Sequence, residues 1–293
     1  MLGPMAQNLV FGVLVGGLYG LAAVGLSLVF GVTRFLNVSH GELLMLGGYA
    51  SFWVFNLFHV DPFLTLGSTI GSLLLVGVIL YQVVFARMVK LTEETKIKNT
   101  MLVGFGLSLI LQNVALRLWT ADDRGITTSY SGRALTFLGV RFPIVRVASL
   151  AIALICLLAL HQFLRRTYTG KAIRATAENW EAAALMGIDI HRVYLVAFVL
   201  GAALAGVAGT LVSVGYSIEP SMGLHWTLKA LIVMVLGGLG SILGTFIGGI
   251  VLGVTESATS FWIGGTYREI VGLLLFLLVL VLRPQGLFGA KEG

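Results

Sequence analysis

Residues 6–32 read Ala-Gln-Asn-Leu-Val-Phe-Gly-Val-Leu-Val-Gly-Gly-Leu-Tyr-Gly-Leu-Ala-Ala-Val-Gly-Leu-Ser-Leu-Val-Phe-Gly-Val, with no Asp, Glu, Lys or Arg among them. About 30 Å of hydrocarbon is crossed by about 20 apolar residues in an α-helix, whose backbone groups satisfy one another where water is absent. The stretch can therefore span a membrane with residues to spare. Seven further runs of the same kind follow, at 42–58, 63–85, 100–119, 144–164, 193–214, 224–251 and 267–282. The run at 224–251 is interrupted by Leu236-Gly-Gly-Leu-Gly-Ser-Ile-Leu-Gly244 and trailed by Phe261-Trp-Ile263. It reads as a broken, re-entrant or doubled crossing, which makes eight to nine spans.

Composition supports this over the whole chain. Of 293 residues, 57% are hydrophobic and 11% charged, against about 25% charged in soluble domains, and mean hydropathy is +0.97. A soluble fold of this size would lack the polar side chains to cover its surface. Soluble enzymes, disordered tails and coiled coils are excluded together. The fold class is an all-α integral membrane protein, a polytopic helical bundle forming a single transmembrane domain over 1–293. The start of the chain lacks the basic n-region of a cleaved signal, so the first segment is expected to stay in the mature protein. Cys156, the single cysteine, lies in an apolar run and cannot form a disulfide within the chain.

The net charge of +6 is carried by loops. Arg87, Lys90, Lys96 and Lys98 lie in one, and Arg165, Arg166, Lys171, Arg174 and Arg192 in another two spans later. Arg124, Arg133 and Arg141 lie in the loop between, on the opposite side. By the positive-inside rule the first two loops face the cytoplasm, by a margin that Arg117 and Arg146 narrow. These cations suit anionic lipid and partner proteins rather than nucleic acid.

Small residues four apart recur as Gly12, Gly16 and Gly20, as Gly201, Ala205 and Gly209, and as Gly240, Gly244 and Gly248. Such stripes let helix backbones approach closely, and they also permit helices to slide during a transport cycle. Catalytic signatures are missing: no H-E-x-x-H, no nucleophile elbow and no P-loop, since Gly170-Lys171 has no Ser or Thr behind it. Ionisable residues within the runs are few, with Glu42, Glu256 and Glu269 near segment ends. The spans are thus expected to lack the charges that would hold a zwitterion tightly.

Two polar motifs remain. Asn37-Val-Ser-His-Gly-Glu42 reads either as a capped helix start with a hydrogen-bonded His40 or as a loop that meets substrate or partner. Residues 169–189 place Ile173, Ala177, Trp180 and Ala184 on one helical face, with Gly187 suited to the C-cap. That is one short amphipathic helix, lying on lipid or fitting a groove on a partner.

Taken together, Asn37–Glu42 with Gly41, Glu178-Asn-Trp-Glu-Ala-Ala-Ala-Leu-Met-Gly187, Leu236-Gly-Gly-Leu-Gly-Ser241 and Arg283-Pro-Gln-Gly-Leu-Phe288 occur in an order that resembles a LivH-type permease of branched-chain amino acid ABC importers. The likeness covers nearly the whole chain. It implies that residues 174–188 form the cytoplasmic coupling helix that docks on an ATPase subunit. Arg174, Glu178, Asn179, Trp180, Glu181, Leu185 and Gly187 belong to it. It implies a second, LivM-like permease, two LivG/LivF-like ATPases that bind ATP-Mg, an extracytoplasmic substrate-binding protein, and a bacterial or archaeal inner membrane. The chain would form half of a translocation path by alternating access, with no cofactor or metal of its own. Urea, short amides and aromatic acids are alternative substrates, and an ion-coupled carrier is the rival mechanism. No residue singles out a substrate, although Tyr19, Ser27, Ser108, Gln112 and Asn113 are polar within spans.

Overall fold

The computed structural model describes residues 2–89, 92–137 and 139–289; Lys90 lies outside them. Among the described residues, eleven α-helices follow one another: α1 Leu2–Thr33, α2 His40–Phe58, α3 Leu66–Leu80, α4 Glu93–Trp119, α5 Ile144–Arg166, α6 Tyr168–Glu178, α7 Trp180–Leu185, α8 Ile190–Gly215, α9 Met222–Gly237, α10 Ile242–Trp262 and α11 Arg268–Leu282. A small antiparallel hairpin, β1 Ala134–Phe137 and β2 Val140–Pro143, precedes α5.

Among the described residues, seven helices are long and apolar enough to cross a membrane: α1, α3 with its π and 3-10 extension to Met88, α4, α5, α8, α10 and α11 with the turn before it. The run at 224–251 is doubled, into the shorter apolar α9 and the full-length α10. The run at 42–58 becomes α2, which is not among the seven. His40 and Glu42 dilute its hydropathy, and they can do so because the first half of α2 is buried inside the bundle. A helix wrapped in protein need not be apolar all round.

Glycine sets how closely these helices lie. α1 and α10 run antiparallel along one seam, where a Cβ on Gly12 would fall 2.7 Å from Val254 Cα and one on Gly16 2.6 Å from Ile250 Cα. Gly20 abuts Phe246, and the reciprocal contacts come from Gly249 and Gly253, which the spacing of Gly244 and Gly248 had concealed. On α8, Gly201 faces the carbonyl of Gly25 and Gly209 the carbonyl of Leu44, so α8 presses on both α1 and α2.

Gly240 does not continue a helical stripe. It lies in the α9–α10 turn with φ +80°, beside Gly238 at +107°, backbone angles open to glycine at little cost. Ser241 then caps α10 by accepting from Gly244 N at 3.2 Å. Residues 283–288 fold back onto this turn, with Leu287 N donating to Leu236 O at 2.9 Å and Phe288 N to Gly237 O at 3.2 Å. Two separate sequence motifs are thus one structural unit, in which the tail satisfies carbonyls that the end of α9 leaves open.

The two basic loops two spans apart do share an end of the bundle. Lys96 Nζ lies 5.6 Å from the Trp180 ring centroid and 5.3 Å from that of Tyr194. The opposite end is closed by Arg124 N donating to Ile218 O at 2.9 Å and by Gln7 bonding Arg141. The least covered spans are α11 and α4, with 11% and 22% of their apolar windows buried.

Candidate functional site

The α5–α8 connection is built by a succession of caps. Thr167, in extended conformation, accepts from Gly170 N at 2.9 Å and starts α6. Gly170 lets α6 fold against the end of α5, at Phe163 O and Leu164, and Ile173 is buried beneath it. Asn179 then leaves helical geometry (φ −154°, ψ 101°) while its Oδ1 accepts from Ala182 N at 2.9 Å. The expected single amphipathic helix is therefore two, α6 and α7. The reason is local, because an Asn side chain can end one helix and cap the next in one step.

Gly187, at φ +81°, closes α7, with Ile188 N reaching back to Ala183 O at 3.1 Å. Asp189 caps α8 through Arg192 N. The split also divides the predicted apolar face: Ile173 points inward, whereas Trp180 is half-exposed over Lys96. Glu178 and Glu181 are exposed beside it, and Arg174 is exposed nearer the α9–α10 turn. At the tip stand Leu185 and Met186, 89% and 84% exposed. The capped loop thus holds two large apolar side chains in solvent, the kind of exposed patch that marks a contact site.

Inside the bundle, the motif at 37–42 is a buried junction. Asn37 Oδ1 accepts from Ser39 N and Oγ, at 3.1 and 2.6 Å, so Ser39 makes no side-chain cap to α2. His40 Nε2 donates to Ala22 O at 2.9 Å, and Gly41 N donates to Thr227 Oγ1 at 2.8 Å. Gly41 lies against the backbone of Gly223, so α2 and α9 begin side by side within the bundle. Glu42 accepts from Ser108 Oγ at 2.9 Å and packs its carboxyl on Gly223. Asn37, His40 and Glu42 are all buried, so this loop offers no surface to a partner.

Paired charges do lie inside the bundle, where the sequence offered only a few ionisable residues near segment ends. Glu256 of α10, Lys229 of α9 and Arg268 of α11 meet Tyr19 of α1 in a single cluster. Lys229 Nζ is 3.1 Å from Glu256 Oε1, and Arg268 Nε is 3.2 Å from Oε2. Tyr19 donates to Oε2 at 3.0 Å and accepts from Lys229 at 3.1 Å. Lys229 was the residue missed, a lone Lys in the run at 224–251; an ionisable group within a span marks function by default. The other polar candidates pair between or within helices: Ser27 with Thr245 at 2.9 Å, Ser108 with Glu42, and Asn113 with Leu109 O of its own helix. Gln112 is half-buried on α4.

The structure is a polytopic helical bundle with paired charges inside and a capped loop between two spans. The chain belongs to the family described as branched-chain amino acid transport system / permease component, which matches residues 8–282. It is 31% identical over 300 residues to the high-affinity branched-chain amino acid transport system permease protein LivH of Escherichia coli K12, covering 98% of this chain and 96% of that one. Similarity to BraD of Pseudomonas aeruginosa is 30% over 296 residues, with the same coverage. The probable LivH of Methanocaldococcus jannaschii is 28% identical over 279 residues, 92% of this chain and 88% of the relative.

Proposed function

We propose that this chain is a permease subunit of an ATP-driven importer of branched-chain or related hydrophobic amino acids. It would form half of an alternating-access path in a bacterial or archaeal inner membrane. The observation that carries this reading is the Leu185–Met186 knob on a loop with basic flanks, in a chain of this family. In this reading the knob lies in the cytoplasm and enters a groove on one of two ATPase subunits, which bind ATP-Mg. Trp180, Glu178 and Glu181 form its flank. A second related permease covers the exposed sides of α4 and α11, and an extracytoplasmic binding protein delivers substrate.

The test is reconstitution of the chain with these partners in proteoliposomes. Uptake of labelled leucine should require ATP and the binding protein. Equal uptake by the chain alone, driven by an ion gradient, would favour a secondary carrier instead. Replacing Leu185 and Met186 together with Glu should lower ATP-driven uptake about 30-fold, since a buried interface anchor is worth about 2 kcal/mol or more. The melting temperature of the isolated chain should not move, because both side chains are already in solvent. Undiminished uptake by this variant would rule out docking through the tip.

A further inference from the structure

At the basic end of the bundle, α5, α6 and the start of α10 border a cavity of about 410 Å³. This volume falls in the range of small-molecule sites, roughly 300–1,000 Å³. Arg165 and His161 of α5 and Arg174 of α6 supply its polar lining, and Leu164, Ile242 and Leu243 its apolar lining. No Asp or Glu lines it. Arg268 and Arg124 are satisfied within the protein, by Glu256 and by Trp119 O. Arg165 and Arg174 have no hydrogen-bond or ion-pair partner among the described residues. Two guanidiniums thus meet at one cavity with nothing of opposite sign to hold them.

Deeper along the same helices the surface turns apolar. Leu158 precedes Arg165 by two turns of α5 and so shares its face, about 10 Å further into the span. Leu154 lies one turn beyond, and on α10 Ile247 follows Leu243 by one turn. All four leucine and isoleucine side chains are exposed. Only 28% of the apolar window of α5 is buried, which leaves this side of the helix to the bilayer. Free guanidiniums at the rim above exposed aliphatic side chains repeat the order of chemistry along a phospholipid, phosphate first and acyl chain below. A soluble acidic partner would match the charged half alone. Arginine stays charged and presents a planar fork that fits phosphate oxygens in pairs, and basic pockets between spans are suited to anionic head groups.

We propose that the α5–α6–α10 cavity is a binding site for the head group of an anionic glycerophospholipid, with Arg165 and Arg174 on the phosphate and an acyl chain lying along Leu158 and Ile247. The bound lipid ties the α5–α6 corner to the α9–α10 turn. The site requires only that the spans cross a bilayer, so it stands apart from what the chain transports.

The test uses the full chain, delipidated in detergent and titrated by native mass spectrometry. Dioleoyl phosphatidylglycerol and dioleoyl phosphatidylcholine share their acyl chains and differ in head-group charge. One phosphatidylglycerol should bind about 10-fold more tightly than phosphatidylcholine. Arg165→Gln combined with Arg174→Gln should weaken its binding about 30-fold, the effect of two cations near a membrane surface. The melting temperature should not move, because both side chains are exposed and unpaired. Arg87→Gln combined with Arg192→Gln removes two exposed cations outside the cavity and should bind as the wild type does. Excess inorganic phosphate should fail to displace the lipid, since it lacks the chains. Phosphatidylglycerol with a diazirine in its acyl chain, photolysed in nanodiscs, should label α5 and α10 around Leu158 and Ile247, a readout that needs no variant. Equal binding of the two lipids, undiminished binding by the Arg165/Arg174 variant, an equal loss in the Arg87/Arg192 variant, displacement by phosphate, or label elsewhere would each overturn the site. Label that vanishes when ATPase subunits are added would give the cavity to a protein interface and overturn it as well.

Discussion

Replacing Gly16 with Leu removes the folded protein from detergent extracts. A first carbon at that position would lie 2.6 Å from Ile250 Cα and 2.7 Å from Gly249 O. Both are backbone atoms of α10, so no side chain can rotate aside to make room. Inserting methylenes into a packed core costs about 1–3 kcal/mol where the neighbours can give, and more where they cannot. In lipid the separated helices gain no compensating hydrophobic contact, because acyl chains already solvate leucine well. The loss should show as a vanished monodisperse peak in fluorescence-detected size exclusion. Gly67→Leu is the matched control, since nothing lies within 4 Å of a Cβ there, and it should leave the peak unchanged. A normal peak from Gly16→Leu would mean that the α1–α10 seam is not tightly packed.

The second large effect is expected from Glu256→Gln. The substitution keeps shape and removes the anion that Lys229 and Arg268 share, leaving Lys229 charged and nine-tenths buried. Breaking a buried pair from one side costs about 3–5 kcal/mol, because the surviving charge has lost both water and partner. Lys229→Met should cost clearly less, since Arg268 and Tyr19 still hold the carboxylate. The double variant Lys229→Met with Glu256→Gln should recover part of the loss of Glu256→Gln alone, a non-additivity expected of side chains in contact. Thermal melting in detergent measures all three. If Glu256→Gln and Lys229→Met melt together, the cluster does not act as one electrostatic unit.

The spans were legible as far as hydropathy is a property of a stretch. Where a helix has little of its apolar window buried in the bundle, as α5 and α11 do, the apolar run in the sequence and the helix in the structure nearly coincide, whereas α4 begins two turns before its run. The averaging that finds such runs also hides single residues. Lys229 adds one charge to an otherwise apolar stretch, and nothing local says that Glu256, 27 positions later, will face it. The split at Asn179 was invisible for a related reason. Helical periodicity continues across it in the sequence, while the break depends on one side chain bonding a backbone N–H three residues on.

Glycine spacing was informative about closeness and silent about partners. Gly12, Gly16 and Gly20 lie where a stripe should, against α10. Gly244 and Gly248 sit on the same helix but turn to α9, with Gly244 against the carbonyl of Gly237 and Gly248 against Gly237 N. Their neighbours Gly249 and Gly253 meet α1 instead. A helix rich in glycine has several small faces, and only the tertiary arrangement decides which face meets which neighbour. The motif at 37–42 shows the converse. Its Asn, Ser, His and Glu suggested either a cap or a contact surface, and its partners come from Ala22, Ser108 and Thr227, three elements no local pattern could join.

The α1–α10 seam also has a biosynthetic side. Its two halves are separated by roughly 230 residues of chain. At about 5–20 residues per second of translation, the first helix leaves the ribosome on the order of 10–50 s before its partner exists. During that interval a groove of bare glycine backbone faces lipid or the insertion machinery. Closure of the bundle therefore waits on the last third of the polypeptide, whatever order the spans enter the membrane. Ribosomes that stall before α10 leave behind a first helix with its small-residue face open, available to any other helix able to approach as closely.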